Sequence, residues 1–127
     1  MDEQQHHREL IKGVSKEQKL ILDKSPQAIY LYLDDNHKIC NKNFADLLGY
    51  KSPNEWAKVD APLADVVEKD QQSVIVAYTR ASEELKASKL EIRLKNVKTC
   101  KIIKSSMVMV PLMFSGHVFV MHFLDNS

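Results

Sequence analysis

The feature that most restricts the fold is a run of three short helical segments within residues 41–66. In the first segment, Asn41 is a strong helix N-cap and Gly49 suits the left-handed residue that ends a helix, so the helix between them has barely two turns. Pro53 and Pro62 each fit the first position of a further short helix. Helices of this length are not stable alone in water. We therefore expect all three to pack against a sheet.

Strand patterns flank these short helices on both sides. Residues 28–33, "AIYLYL", are apolar at every position, which predicts a strand covered on both faces, and "HKIC" fits its hairpin partner. A longer helix is predicted at about residues 71–86, with Asp70 as its cap. "LEIRL", "CKIIKSSMVMVPLMF" and "HVFVMHFL" then predict three more strands, and Asn96 is the turn residue best suited to a positive φ. The order of elements favours an α+β fold.

The first 24 residues form a separate leader, so we divide the chain into a leader helix at 1–24 and a main domain at 25–127. Gly13 predicts a break between two helical pieces in this leader. Both faces of the "AIYLYL" strand need cover, and the other helices can cover only one. We therefore expect the leader to pack on the outer sheet face and to join two copies of the chain. The candidate dimer-interface residues are Leu10, Ile11, Val14 and Ile21.

The composition argues against some classes of function and location. With 127 residues and 44% apolar residues, the chain suits one domain with a real core. A net charge of +1 argues against a dedicated nucleic-acid surface. No apolar run approaches the roughly 20 residues that span a bilayer, and no signal peptide is recognisable. We expect a cytoplasmic protein.

Several motifs, in this order, resemble those of the PAS domain family over about residues 20–125. The first is an Asn, a Phe three residues on and a Leu-Gly-Tyr, here Asn41, Phe44, Leu48, Gly49 and Tyr50. "KSPNEW", "VVEKDQ" and "LEIRL" are similar to the segments that follow in the family. "MVPLMFSGHVFVMHFLD" resembles the final hairpin, in which Pro111, Gly116 and Asp125 match recurring positions. "KNVKT" replaces the usual Asp-Gly turn, and "DNS" replaces the usual ending Asp-Ile-Thr.

The resemblance implies a five-stranded antiparallel sheet with the short helices and one longer helix across one face, preceded by an N-terminal helix. It also implies a non-catalytic sensor that binds a small ligand, dimerises, or does both. Such a module regulates an attached or partner effector, either a sensor histidine kinase of a two-component system or a transcription regulator. Asn41, Gly49 and Asp125 would then be structural motif residues. The expected ligand pocket, with Tyr78 as its polar handle, is lined by Phe44, Leu48, Trp56, Val74 and Tyr78.

We expect neither haem nor a covalent flavin adduct, and the ligand itself stays open. Haem-binding relatives supply a histidine from the long helix, and residues 70–88 contain none. Cys40 precedes the short helices and Cys100 follows them, so neither is placed for a flavin adduct. No metal site is expected either, because His117 and His122 point to opposite faces of one strand. Among apolar neighbours, His122 is either a core residue or a group that titrates near neutral pH.

The alternative is a small pocket enzyme of the ketosteroid-isomerase type. Such an enzyme needs a buried carboxylate base beside a hydroxyl or carboxylic acid donor. The acidic residues of this sequence fall at turns and caps, and Glu91, the one in mid-strand, alternates outward with Arg93. We therefore name no catalytic residue and favour the sensor.

Overall fold

The computed structural model describes residues 3–126, which form a five-stranded antiparallel sheet with helices on both faces. The predicted α+β fold is confirmed. The helices are α1 Glu3–Glu17, α2 Lys19–Lys24, α3 Lys42–Leu48, α4 Pro53–Ala57, the 3-10 helix Pro62–Asp65 and α5 Glu68–Glu84, and the strands are β1 Ala28–Asp34, β2 His37–Cys40, β3 Ser88–Lys95, β4 Ile102–Phe114 and β5 His117–Asn126.

The strands lie in the order β2-β1-β5-β4-β3, so the last strand of the chain is the central one. His122 on β5 lies opposite Tyr30 on β1 and opposite Met109 on β4. β1 and β5 are therefore interior strands covered on both faces, as their continuous apolar patterns predict. No helix in the described part of the chain is both long and apolar enough to cross a membrane.

The sheet separates two apolar clusters. The short helices and α5 pack on the inner face, and the leader helix α1 packs on the outer face. Alternate residues of β1 and β5 therefore enter different clusters. The buried residues of the outer cluster are Leu10, Val14, Leu22, Ile29, Leu31, Phe119 and Met121. Those of the inner cluster are Ala28, Cys40, Phe44, Ala45, Leu48, Trp56, Val66, Val74, Ala77, Ala81, Ile92, Leu94, Met107, Met109, Val120 and Leu124.

The leader differs from its prediction in one respect. The break expected at Gly13 is wrong, because α1 continues through this residue to Glu17. A Cβ atom at Gly13 would lie 2.8 Å from Cζ of Phe114. The glycine thus allows the helix to approach the end of β4 closely, and that packing outweighs its low helix propensity.

The start of α5 also differs from its prediction. Asp70 is not the cap, because the helix begins at Glu68. Its Oδ2 accepts hydrogen bonds from the backbone N and the Nε of Arg93, at 2.8 and 2.9 Å, and its Oδ1 accepts one from Nη2 at 2.9 Å. These hydrogen bonds from Arg93 hold the pKa of Asp70 below its usual value. The pair joins the first turn of α5 to β3.

Candidate ligand-binding site

A cavity of about 380 Å³ lies between the inner sheet face and the helices that cross it. Its walls come from β1, α3, α4, the 3-10 segment, α5 and the three later strands, so residues distant in sequence meet there. The lining residues are Tyr30, Tyr32, Asp35, Phe44, Leu48, Trp56, Ala61, Pro62, Leu63, Asp65, Val66, Val74, Ile75, Tyr78, Leu94, Met107 and His122.

Asn41 fixes α3, and with it Phe44, against the sheet. Its Oδ1 accepts hydrogen bonds from the backbone N of Phe44 and of Ile29, both at 3.0 Å. Its Nδ2 donates to the carbonyl of Gln27 at 2.9 Å. The predicted N-cap of α3 therefore also accepts a hydrogen bond from a backbone amide of β1. This one buried side chain sets the position of α3 relative to the strand.

The other end of α3 is fixed by Gly49. This residue has φ 85°, and a Cβ there would lie 2.4 Å from Oδ1 of Asn96. The same Oδ1 accepts hydrogen bonds from the backbone N of Lys98 and Thr99, both at 2.9 Å. The positive φ expected at Asn96 is wrong, since Cys100 takes it in this turn. The amide side chain instead closes the turn in which β3 ends.

Aromatic rings form the deep wall of the cavity. The rings of Tyr30, Phe44 and Trp56 lie 4.7 to 5.2 Å apart, centroid to centroid. His122 stacks on Tyr30 at 3.8 Å with an interplanar angle of 10°. Burial raises the pKa of the Tyr30 hydroxyl, which stays neutral at all ordinary pH. Such a wall offers π-faces to a ligand and carries no net charge.

The lining includes two carboxylates, and each of them accepts a hydrogen bond from a tyrosine hydroxyl. Asp65 accepts a hydrogen bond from the Tyr50 hydroxyl at 2.6 Å, and Asp35 accepts one from the Tyr32 hydroxyl. Burial raises the pKa of Asp65, and the Tyr50 hydrogen bond opposes that shift. Within residues 3–126, no lysine or arginine lines the cavity. The two carboxylates are therefore not balanced by a lysine or arginine in the lining itself.

Lys38 supports the same wall from behind and was missed in the sequence. It is buried, and its Nζ lies 5.2 Å from the centroid of the Trp56 ring. Nζ donates to the carbonyls of Ala57 at 3.0 Å and Val59 at 2.6 Å, and to that of Asp35. These carbonyls compensate for the buried ammonium group, and desolvation lowers its pKa. The lysine thus clamps the end of α4 to β2.

The structure brings the five expected pocket residues together. Each of them lines the cavity, and contact with a ligand stays a prediction. The Trp56 Nε1 is buried and has no hydrogen-bond partner among the described residues. The Tyr78 hydroxyl lies 3.4 Å from the Leu33 carbonyl, which makes it a weakly engaged polar handle. The lining residues expected from the sequence were Phe44, Leu48, Trp56, Val74 and Tyr78.

The remaining expected residues lie away from the cavity. Asp125 accepts a hydrogen bond from Nε2 of Gln27 at 2.7 Å on the surface, which joins the end of β5 to the chain just before β1. Leu10 and Val14 are buried in the outer cluster of their own chain, Ile11 is half-buried and Ile21 is exposed. Leu10 and Val14 are therefore not available to a second copy in this arrangement.

His122 is a buried core residue. Its side chain is only 2% exposed, and its Nδ1 lies 3.1 Å from the carbonyl of Val120. Burial lowers the pKa of His122 to about 3, and hydrogen bonds to backbone carbonyls offset this only in part. Of the two options left open by the sequence, titration near neutral pH is therefore wrong.

We expect the pH dependence of stability to reveal this histidine. The folded protein stays unprotonated at His122 down to about pH 3, whereas the unfolded chain takes up the proton below about pH 6.5. The free energy of unfolding should therefore decrease as the pH is lowered through this window, by up to about 1.4 kcal/mol per pH unit. Urea unfolding of the natural chain and of His122→Gln, at pH values from 6.5 to 4.5, measures the difference in slope. Equal slopes would contradict the assignment, since both proteins share all other titratable groups.

Solved PAS domains have the same arrangement of strands and helices. A PAS domain from Colwellia psychrerythraea is 19% identical with a TM-score of 0.68, and the match covers 90% of this chain and 97% of that one. A PAS domain from a two-component sensor histidine kinase is 13% identical with a TM-score of 0.66, covering 91% and 98%. The PAS domain of an HTR-like protein from Haloarcula marismortui is 12% identical with a TM-score of 0.64, covering 97% and 99%.

At the level of sequence, no protein-family model matches the chain, and a search of curated proteins found no significant match. The assignment therefore rests on shape together with the ordered motifs. The strand order, the short helices begun by Asn41 and ended by Gly49, and the helix α5 across the inner face all agree with it. The chain has the fold of PAS domains.

Proposed function

We propose that this chain is a signal-sensing module whose inner cavity binds a small neutral or cationic ligand with an aromatic or apolar body. The observation that carries the proposal is the lining of the cavity. It combines an aromatic wall with two carboxylates, and within residues 3–126 it includes no lysine or arginine. Aromatic faces and carboxylates attract cations and tolerate neutral molecules. An anion such as a carboxylate or a phosphate would find no lysine or arginine in the lining to pair with.

The volume and the polar groups of the cavity further restrict the size and the chemistry of the ligand. A cavity of about 380 Å³ holds roughly a dozen heavy atoms, if each takes the ~30 Å³ of a water molecule in the liquid. The buried Nε1 of Trp56 has no partner among the described residues, and a buried donor left unpaired costs about 1–3 kcal/mol. A ligand with an acceptor that reaches this nitrogen would remove that cost. An alcohol oxygen can accept from this nitrogen, whereas a protonated amine has no acceptor and would instead donate to the carboxylates of the lining. The cavity volume favours a small aromatic alcohol or amine of either kind over a nucleotide.

The partner of such a module is an effector, attached or separate. The structural relatives include a PAS domain from a two-component sensor histidine kinase and the N-terminal domain of a diguanylate cyclase with a PAS/PAC sensor. The first of these relatives supports the proposal that ligand occupancy here regulates a sensor histidine kinase. A transcription regulator is the other effector that we propose, and we propose a cytoplasmic location.

A binding role is favoured over the ketosteroid-isomerase alternative. An isomerase needs a carboxylate base free to reach its substrate. Here the two carboxylates of the lining each accept a hydrogen bond from a tyrosine hydroxyl, Asp65 from Tyr50 and Asp35 from Tyr32. Each of these carboxylates already has a hydrogen-bond partner within the protein, and we propose that the module has no catalytic activity.

The ligand class is tested with three probes that share one ring and differ in charge. We expect benzylamine and benzyl alcohol to bind and benzoate not to bind, because only benzoate brings a negative charge to the carboxylates. Trp56 is the single tryptophan of the chain, so its fluorescence reports binding directly. Chemical-shift changes at Val74 and Tyr78 in NMR spectra locate the probe in the cavity.

A cavity-filling variant provides the control. Val74→Phe places extra volume in the cavity and should weaken benzylamine binding at least about tenfold, whereas Ile102→Phe, on an exposed part of β4, should leave it unchanged. Benzoate binding as strongly as benzylamine would overturn the ligand class. Unchanged binding by Val74→Phe would overturn the placement.

We further propose that two copies associate through the exposed side of the leader. Leu20 is 74% exposed and Ile21 is 38% exposed, and both lie on α2 beside the packed helix. This differs from the surface expected from the sequence, since Leu10 and Val14 already pack on their own sheet. Exposed apolar side chains next to an ordered helix are the kind of surface that twofold pairing covers.

A further inference from the structure

Four of the five histidines lie together at one edge of the molecule, and none of the four lines the cavity described above. His6 and His7 come from α1, His37 from the start of β2 and His117 from the start of β5. The His6 and His117 rings lie 5.0 Å apart, and the His7 and His37 rings lie 5.4 Å apart. Sequence spacing gives no sign of this cluster, because the leader helix brings its members together.

Asp34 lies between two of these histidines. Its Oδ1 is 2.7 Å from Nδ1 of His37, and its Oδ2 is 3.1 Å from Nδ1 of His7. Burial works to raise the pKa of Asp34, but the hydrogen bonds and charge of His37 outweigh it and hold that pKa below its usual value. The carboxylate is therefore an anion at neutral pH, directed at two imidazoles.

The three side chains have the dimensions of a metal site. One ligand atom from each of His7, Asp34 and His37 lies within 4.8 Å of the other two. In a zinc site the metal–nitrogen and metal–oxygen bonds are about 2.0–2.2 Å, so small side-chain rotations bring the three atoms to bonding distance. His37 is buried and His7 is half-buried. Two imidazoles and one carboxylate, partly shielded from solvent, suit Zn²⁺ and neighbouring transition metals and do not suit Mg²⁺.

We propose that His7, Asp34 and His37 bind one divalent transition-metal ion of the zinc class, with water completing its coordination. Asp34 ends β1, His37 begins β2 and His7 lies on α1, so the metal would fasten the leader helix to the turn between β1 and β2. The order of the leader would then depend on metal, through a site separate from the cavity on the inner sheet face. This inference does not rest on the proposed ligand.

Zinc titration of the purified, metal-free chain tests the proposal. Cys100 is exposed and its thiol could bind zinc on its own, so every protein carries Cys100→Ser. We expect calorimetry to give one Zn²⁺ per chain with a Kd at or below about 1 μM, and a rise in thermal midpoint of about 5 °C or more with zinc in excess. Mg²⁺ at the same concentration should produce neither effect.

Substitutions then locate the site. His7→Gln and Asp34→Asn should each weaken Zn²⁺ binding at least about tenfold, and Asp60→Asn, a change of an exposed aspartate outside the cluster, should leave it unchanged. His7 lies on the outer helix, so circular dichroism should show His7→Gln to be folded even if His37→Gln is not. Co²⁺ is a spectroscopic substitute, and its visible absorption should disappear in His7→Gln. If Zn²⁺ does not bind, or binds equally to His7→Gln and the parent, the proposal fails. His7, Asp34 and His37 would then form a hydrogen-bond network and no metal site.

Discussion

The double substitution Leu10→Ala with Val14→Ala should lower the free energy of unfolding by about 4 kcal/mol or more. Both side chains are buried in the outer cluster, where Val14 is fully inaccessible and belongs to the same cluster as outward-facing residues of β1 and β5. Replacing a buried leucine by alanine costs about 2–5 kcal/mol, and losing the valine methyls adds to that cost. A domain of this size is stable by only about 5–15 kcal/mol. Urea unfolding measures the loss.

The matched control is Leu20→Ala with Ile21→Ala, on the exposed side of the leader. Because surface changes usually stay within about 0.5 kcal/mol each, this pair should cost about 1 kcal/mol or less. Sedimentation of both variants shows which face joins two copies, and we expect only the control pair to weaken a dimer. Equal stability losses in the two variants would contradict the packing of the leader. So would a loss for Leu10→Ala with Val14→Ala that depends on protein concentration, since the leader would then pack on a second copy.

Asn41→Ala should lower the free energy of unfolding by about 3 kcal/mol, which is a large loss for one asparagine side chain. The substitution removes an N-cap, worth about 1 kcal/mol. It also leaves the buried backbone amide of Ile29 without its acceptor, and an unpaired buried donor costs about 1–3 kcal/mol. The wall that carries Phe44 would lose its fixed distance from β1, so binding of benzylamine should weaken as well. Thermal and urea unfolding measure the first effect, and Trp56 fluorescence measures the second.

Asn43→Ala is the matched control for this prediction. Asn43 is exposed, and its Nδ2 donates to the carbonyls of Ser25 and Pro26 at 3.1 and 3.2 Å. Because solvent can replace those hydrogen bonds, the change should cost under about 1 kcal/mol. If the two asparagine variants were equally stable, the buried bridge from Asn41 to β1 would have no energetic weight, and the account of how α3 is held would fail.

Local sequence determined the elements of this fold because their signals are short-range. Asn41 and Gly49 bound a helix by capping the backbone groups next to them. Pro53 begins the next helix because its fixed φ suits the first helical position, where an N–H is not needed. The continuous apolar pattern of β1 and β5 indicated strands covered on both faces, and the tertiary structure has both as interior strands. Together with the ordered motifs, these patterns were sufficient to predict the fold class and the sheet.

Tertiary structure alone decided the features that depend on close approach between distant segments. Gly13 predicted a break, but the helix continues through it, because a glycine lets the helix pack closely against Phe114 at the end of β4. Asp70 has the sequence of a cap, yet its carboxylate binds Arg93 on a strand that is 23 residues away. In both cases a contact of long sequence separation outweighed the local preference, which is worth only about 1 kcal/mol.

The same division applies to the candidate sites. Phe44 and Val74 could be placed on the inner wall from helical periodicity, because one face of a helix is fixed by spacing alone. Tyr30 and His122 could not, since strands covered on both faces are apolar on both and the pattern does not say which face lines a cavity. The cluster around Asp34 had no sequence signal at all. Its partner His7 stands 27 residues away, and only the packing of the leader on the sheet brings the two together.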